Sequence, residues 1–250
     1  MIRVSQRIAG SFAEPPFYDA CREDLRVSAD LFARDPQVLI CRARIREDLQ
    51  EGFGHGVGHA EKVAVEAGAL AHREGAALLP EGPRRQAAVL AQIAGLLHDL
   101  RRGEKDHARA SAAAAEPLVA SFSFKTEEGR WVLTAIGNHE AFTEPQRLDS
   151  PVGQTVSDAL YDADKFRWGP DNFTITLWEM LRFSKAPLLP LISRFPRGMK
   201  GIDKIRSTFR TATGRRHGPE FIDLGLKIGA EILKFLEKRF AEELREEKSR

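Results

Sequence analysis

Apolar residues recur at three- and four-residue steps along most of this chain, and alternating, strand-like runs are nearly absent. From Arg84 to Asp99, the residues Ala87, Leu90, Ala91, Ala94 and Leu97 form one face of an amphipathic helix, and His98 continues that stripe. The same periodicity predicts helices over about 18–34, 36–49, 57–74, 106–121, 125–139, 152–165 and 171–183. A last long helix is expected after Gly218-Pro219, through Phe221, Leu224, Ile228, Ile232 and Phe235, because proline is favourable near a helix start. It should end in a charged, fraying tail. Proline and glycine mark breaks at 79–83, around Pro145, at Gly169-Pro170 and between Pro187 and Gly218. None has the composition of a flexible linker, and no fixed period repeats, so the pattern predicts an all-α, multi-helix bundle forming a single domain over 1–250.

At 250 residues the chain is long enough to bury a real core. Lys and Arg total 38 against 36 for Asp and Glu, a formal charge of +2. That balance is too small to make nucleic acid the main partner, so any basic surface is local. Cys21 and Cys41 stand alone, which excludes a thiolate zinc site and argues against a disulfide framework. No stretch has signal-peptide character or the apolar length of a bilayer span, and the expectation is a cytoplasmic protein with no membrane partner.

The residues able to do chemistry are few and oddly placed. His55 precedes a helix and His59 lies in its first turn, in HGVGHAEKVAVEAGA. His98 and Asp99 end an alanine- and leucine-rich helix in IAGLLHDLRRGEKDHARASAAAA, and His107 opens the next one. His139 closes the helix ending IGNHEAF, and Asp162 and Asp164 close the helix ending DALYDADKF. A lone histidine on an apolar face is usually a hydrogen-bonded core residue. Adjacent His98-Asp99 is harder to explain by packing, since burying both without partners would cost several kcal/mol. Mixed imidazole and carboxylate donors suit a catalytic divalent cation with open positions for water, among Mn, Fe, Ni, Co, Zn and, on the carboxylate side, Mg.

This order of residues resembles the HD superfamily of metal-dependent phosphohydrolases over about residues 50–170. The resemblance implies an HD-type helical core with additional C-terminal helices over about 171–250. It implies that His59, His98, Asp99 and Asp164, rather than Asp162, hold one metal or the first of two; with two, His107 and His139 supply ligands for the second and Asp99 bridges, and with one Asp99 is a terminal ligand. It also implies hydrolysis of a phosphate ester or a nucleotide (poly)phosphate by metal-activated water, on a small phosphorylated substrate for which a nucleotide is the default by analogy. In that frame His98, Asp99, Arg102 and Lys165 are the catalytic set. Arg102, three residues past Asp99, and Lys165, beside Asp164, are placed to contact phosphate, and His55 to contact it or shuttle a proton.

Residues 194–217 carry Arg194, Arg197, Lys200, Lys204, Arg206, Arg210, Arg215 and Arg216 against Asp203 alone. Arg215 and Arg216, just before the last helix, are taken as substrate-binding, because helix N-termini attract anions. The stretch serves equally to hold a polyphosphate, to track a nucleic-acid backbone, or as a solvated face. Trp168, near Asp164, fills the core or walls a nucleobase pocket. Two rivals follow from the same residues: a di-iron oxygenase using all six His and Asp ligands, and a non-catalytic nucleotide- or nucleic-acid-binding HD-like protein. The bound metal separates the first rival from a hydrolase, and turnover separates the second.

Overall fold

In the computed structural model, which describes residues 1–48 and 56–248, every regular element among the described residues is helical. The elements are α1 (Ile2–Ala9), α2 (Phe17–Ala20), α3 (Arg22–Arg34), α4 (Pro36–Asp48), α5 (Val57–Glu74), α6 (Glu81–Leu97), α7 (His107–Ser121) and α8 (Thr126–Gly137). There follow α9 (Pro151–Phe166), α10 (Leu177–Ser184), α11 (Leu188–Asp203), α12 (Ala212–Arg239) and α13 (Ala241–Lys248). Short 3₁₀ turns at Gly75–Ala77 and Lys204–Ser207 and a π turn at Asn172–Thr176 join them. No helix among the described residues is long and apolar enough to cross a membrane. Cys21 and Cys41 are buried free thiols.

The centre of the bundle is the α5–α6 hairpin. Residues Ala87 to Leu97 of α6 are buried without interruption, as only a helix surrounded by other helices can be. Small residues set the spacing: a Cβ on Gly95 would lie 2.7 Å from the Ala64 Cα, so only glycine lets the two backbones approach this closely. Because the hairpin is antiparallel, that approach brings the start of α5, with His59, beside the end of α6, with His98. α9 packs on α5, α6 and α8; α3 and α4 cover another side, and α12 crosses the rest. A continuous apolar core runs from Phe17 to Leu236.

Five expectations are corrected. The segment from Pro187 to Gly218, read as irregular, contains α11, whose buried stripe of Ile192, Phe195 and Ile202 continues past Pro196. α12 begins at Ala212, before Gly218-Pro219, with Thr211 Oγ1 accepting from the Gly214 amide at 2.7 Å. Packing of His217, Phe221, Ile222 and Ile228 on both sides of Pro219 outweighs its missing amide hydrogen bond. The charged tail is not simply frayed: after Phe240 the chain re-enters a helix, α13. The helix expected over 171–183 is split by the π turn, and Cys21 separates α2 from α3.

Candidate metal centre

Four of the seven histidines meet where α5, α6, α7, α8 and α9 converge. His59 Nε2 lies 3.3 Å from His98 Nε2, and Asp164 Oδ1 lies 3.5 Å from the first and 3.7 Å from the second. Asp99 Oδ2 is 3.2 Å from His98 Nε2 and 3.8 Å from His59 Nε2. Its other oxygen, Oδ1, faces a second pair, at 3.6 Å from His139 Nε2 and 3.9 Å from His107 Nε2, which are themselves 3.1 Å apart. Asp99 therefore stands between two donor sets, His59–His98–Asp164 and His107–His139, with one oxygen turned to each.

Local structure aims these atoms. His98 is wholly buried, and its Nδ1–H donates to the Gly95 carbonyl at 2.7 Å; His139 donates in the same way to the Ile136 carbonyl at 2.6 Å. With Nδ1 engaged on a carbonyl, Nε2 is the nitrogen that each ring presents to the cluster. The loop after Asp99 is tied to α7 by the Arg101 amide donating to Ser111 Oγ. It turns back at Asp106, whose left-handed backbone (φ 54°) is a conformation aspartate tolerates, and so delivers His107 from the first residue of α7. On α9, Ser150 caps the start with Pro151 in the first turn, and Asp164 lies near the end.

The donor atoms fit a cation. Two donors held at about 2.0–2.1 Å in octahedral or tetrahedral coordination stand roughly 2.8 Å (neighbouring) to 4.2 Å (opposite) apart, and every distance given between donor atoms of the cluster falls in that span. The electrostatics agree. Burial disfavours charge on His98, yet Asp99 and Asp164 outweigh it and push the imidazole up to about 10, so the field at this point calls for positive charge. Against burial, Lys165, His59 and His98 hold Asp164 well below the usual carboxylate range. Burial, with His139 and Arg102 adding to it, pushes His107 down to about 4, which keeps it a neutral donor.

Of the other residues singled out from sequence, Arg102 lies at the rim, its Nη1 2.7 Å from His107 Nε2 and 3.6 Å from Asp99 Oδ1. Lys165 is buried, with Nζ donating to Asp164 Oδ2 at 2.6 Å and 5.9 Å from the partly exposed Trp168 ring. Asp162 is fully buried and accepts the Arg210 and Thr211 amides, both at 2.8 Å, which fastens the start of α12 to α9. Burial pushes its carboxyl up to about 7, against those two amides. Arg215 and Arg216, expected just before the last helix, are exposed within the start of α12, and Arg215 turns back onto the Arg210 carbonyl. His55 lies outside the described residues.

Two positions escaped the sequence reading. Arg210 stacks 3.5 Å over the Tyr161 ring and donates to the Asn138 carbonyl at 3.0 Å, one residue before His139. Asn138 is itself held by the Gln146 backbone and Ser157 Oγ. The basic stretch was visible, but nothing in it distinguishes Arg210 from its neighbours. His72 and His217 serve the framework, paired with Asp24 and Glu220 respectively.

Comparison of the chain with protein-family models, with curated proteins and with solved structures finds no match. What can be said of function comes from the cluster itself: buried His and Asp groups arranged so that they could hold a metal ion.

Proposed function

We propose that this chain is a metal-dependent phosphohydrolase of the HD type, cleaving a phosphate ester or a nucleotide (poly)phosphate with water. The observation that carries this reading is Asp99, whose two oxygens face two separate pairs of imidazole nitrogens, an arrangement that would suit a carboxylate shared by two cations. Divalent cations bound there would lower the pKa of water and draw charge off phosphoryl oxygens. The chain's own residues do the rest. Lys165 holds Asp164 so that Oδ1 faces His59 and His98. Arg210 and Asn138 fix the end of α8 and with it His139. Arg102, at the rim with a side chain 36% exposed, is the guanidinium placed to clamp an incoming phosphate, a task that suits its planar fork. A nucleotide as the small substrate rests on analogy, with the partly exposed Trp168 ring 5.9 Å from Lys165 Nζ.

The test is phosphate release after chelation and reconstitution with Mn, Fe, Ni, Co, Zn or Mg, using aryl phosphate mono- and diesters and a panel of nucleotides. Release that chelation abolishes and at least one divalent ion restores is the expected result. Two irons per chain with oxygen consumption and no phosphate release would assign the site to a di-iron oxygenase. Salt-dependent nucleic-acid binding without turnover under any metal would assign the chain to a binding role.

A further inference from the structure

The two halves of the centre differ in how the chain's own cations meet them. In the first, Lys165 binds Asp164 through Oδ2 and leaves Oδ1 turned towards His59 and His98. In the second, Arg102 Nη1 lies 2.7 Å from His107 Nε2, the atom that faces His139 and Asp99. Guanidinium has donors and no acceptor and stays protonated, so in this contact Arg102 donates and the His107 Nε2 lone pair accepts. One lone pair serves an N–H or a metal ion, not both. The same nitrogen of Arg102 is 3.6 Å from Asp99 Oδ1, so it also supplies the positive charge that the second donor set would otherwise take from a cation.

Building on the metal-centre reading above, we propose that Arg102 is a resident competitor of the second cation. It occupies His107 until phosphate draws it away. The second ion and the phosphate group then bind cooperatively, because the guanidinium that leaves His107 is the one that clamps the phosphate oxygens. That contact weakens the second ion relative to the first, where Lys165 meets Asp164 through Oδ2, not through the oxygen that faces His59 and His98. Arg102 belongs to the turn closed by its own amide on the Asp99 carbonyl, and its side chain is partly exposed, so the swing needs no change in the helices.

The experiment is calorimetric titration of metal-stripped full-length protein with Mn²⁺, followed in parallel by electron paramagnetic resonance for an exchange-coupled pair. Wild type, Arg102→Ala and His107→Ala are compared, each with and without inorganic phosphate. Wild type should show one tight and one weaker ion. Arg102→Ala should leave the first unchanged and tighten the second by at least about tenfold, as expected from losing a charged hydrogen bond that competes for the site. His107→Ala should lose the weaker ion alone. Phosphate should tighten the second ion more in wild type than in Arg102→Ala. A second ion bound equally well or more weakly in Arg102→Ala overturns the proposal while leaving the metal centre standing. If wild type binds no ion at all, both fall together.

Discussion

Asp99→Ala is expected to strip both cations from the protein and to lower phosphate release far beyond the roughly 10–100-fold that follows when a group merely orienting a metal ligand is lost. The reason is geometric. Asp99 is the residue whose two oxygens serve both donor sets, so its removal leaves two pairs of neutral imidazoles with Asp164 as the remaining carboxylate. Neutral nitrogens alone do not offset the desolvation of two divalent ions. The residue lies in the turn after α6, outside the helical hydrogen-bond ladders, so the far-ultraviolet circular dichroism should stay as in wild type. Metal content by elemental analysis and phosphate release on the same preparation check this; a variant that keeps its metal and its rate removes Asp99 from the centre.

Arg167→Ala is expected to cost roughly 3–5 kcal/mol, as breaking a buried ion pair does, and to lower the melting temperature by on the order of 10 °C. Arg167 is 5% exposed and bridges two elements: it donates to Glu66 of α5, itself 2% exposed, and to Asp171 at the start of the π turn. Tyr18 adds a hydroxyl to Glu66 Oε1 at 2.8 Å, and Lys62 binds Asp171 at 2.9 Å. Tyr18, Lys62, Arg167 and Asp171 of this network line a pocket of about 500 Å³ together with Phe166 and Phe221. Removing the guanidinium leaves Glu66 buried with the Tyr18 hydroxyl but without its cation, and burial already raises that carboxyl. Thermal unfolding of Arg167→Ala, Glu66→Gln and the double variant Glu66→Gln/Arg167→Met measures the coupling. A double variant much closer to wild type than Arg167→Ala is the expected outcome, and a single variant within about 0.5 kcal/mol of wild type, as a surface substitution would be, contradicts it.

Where the apolar period was clean, the sequence was a good guide to the fold. α5 is expected and found over 57–74, and α6, α7 and α9 differ from expectation by a few residues at their ends. It failed where local punctuation and tertiary packing disagree. Pro196, Pro219, Gly218 and a run of arginines read as a break, yet burial of Ile192, Phe195, Phe221 and Ile228 holds two helices through them. The paired signals of the centre were legible because His98-Asp99 and Asp164 sit where an apolar helix ends, an expensive place for unpartnered polar groups. The jobs of the surrounding cations were not. Whether Lys165 faces phosphate or Asp164, and which arginine of residues 194–217 reaches the end of α8, depends on how α9, α11 and α12 cross, and no spacing along one chain encodes that. Asp162 shows the same limit: two residues from Asp164, its environment turns it towards the amides of Arg210 and Thr211 instead of the cluster.

The central claim is that imidazoles and carboxylates remote in sequence share cations, and anomalous diffraction from crystals loaded with Mn²⁺ tests it most directly. Two peaks are predicted. One should lie within about 2.0–2.3 Å of His59, His98, Asp99 and Asp164, and the other at similar range from Asp99, His107 and His139. Crystals that take up manganese elsewhere, or none, while these side chains stay bonded only to one another, would contradict the account.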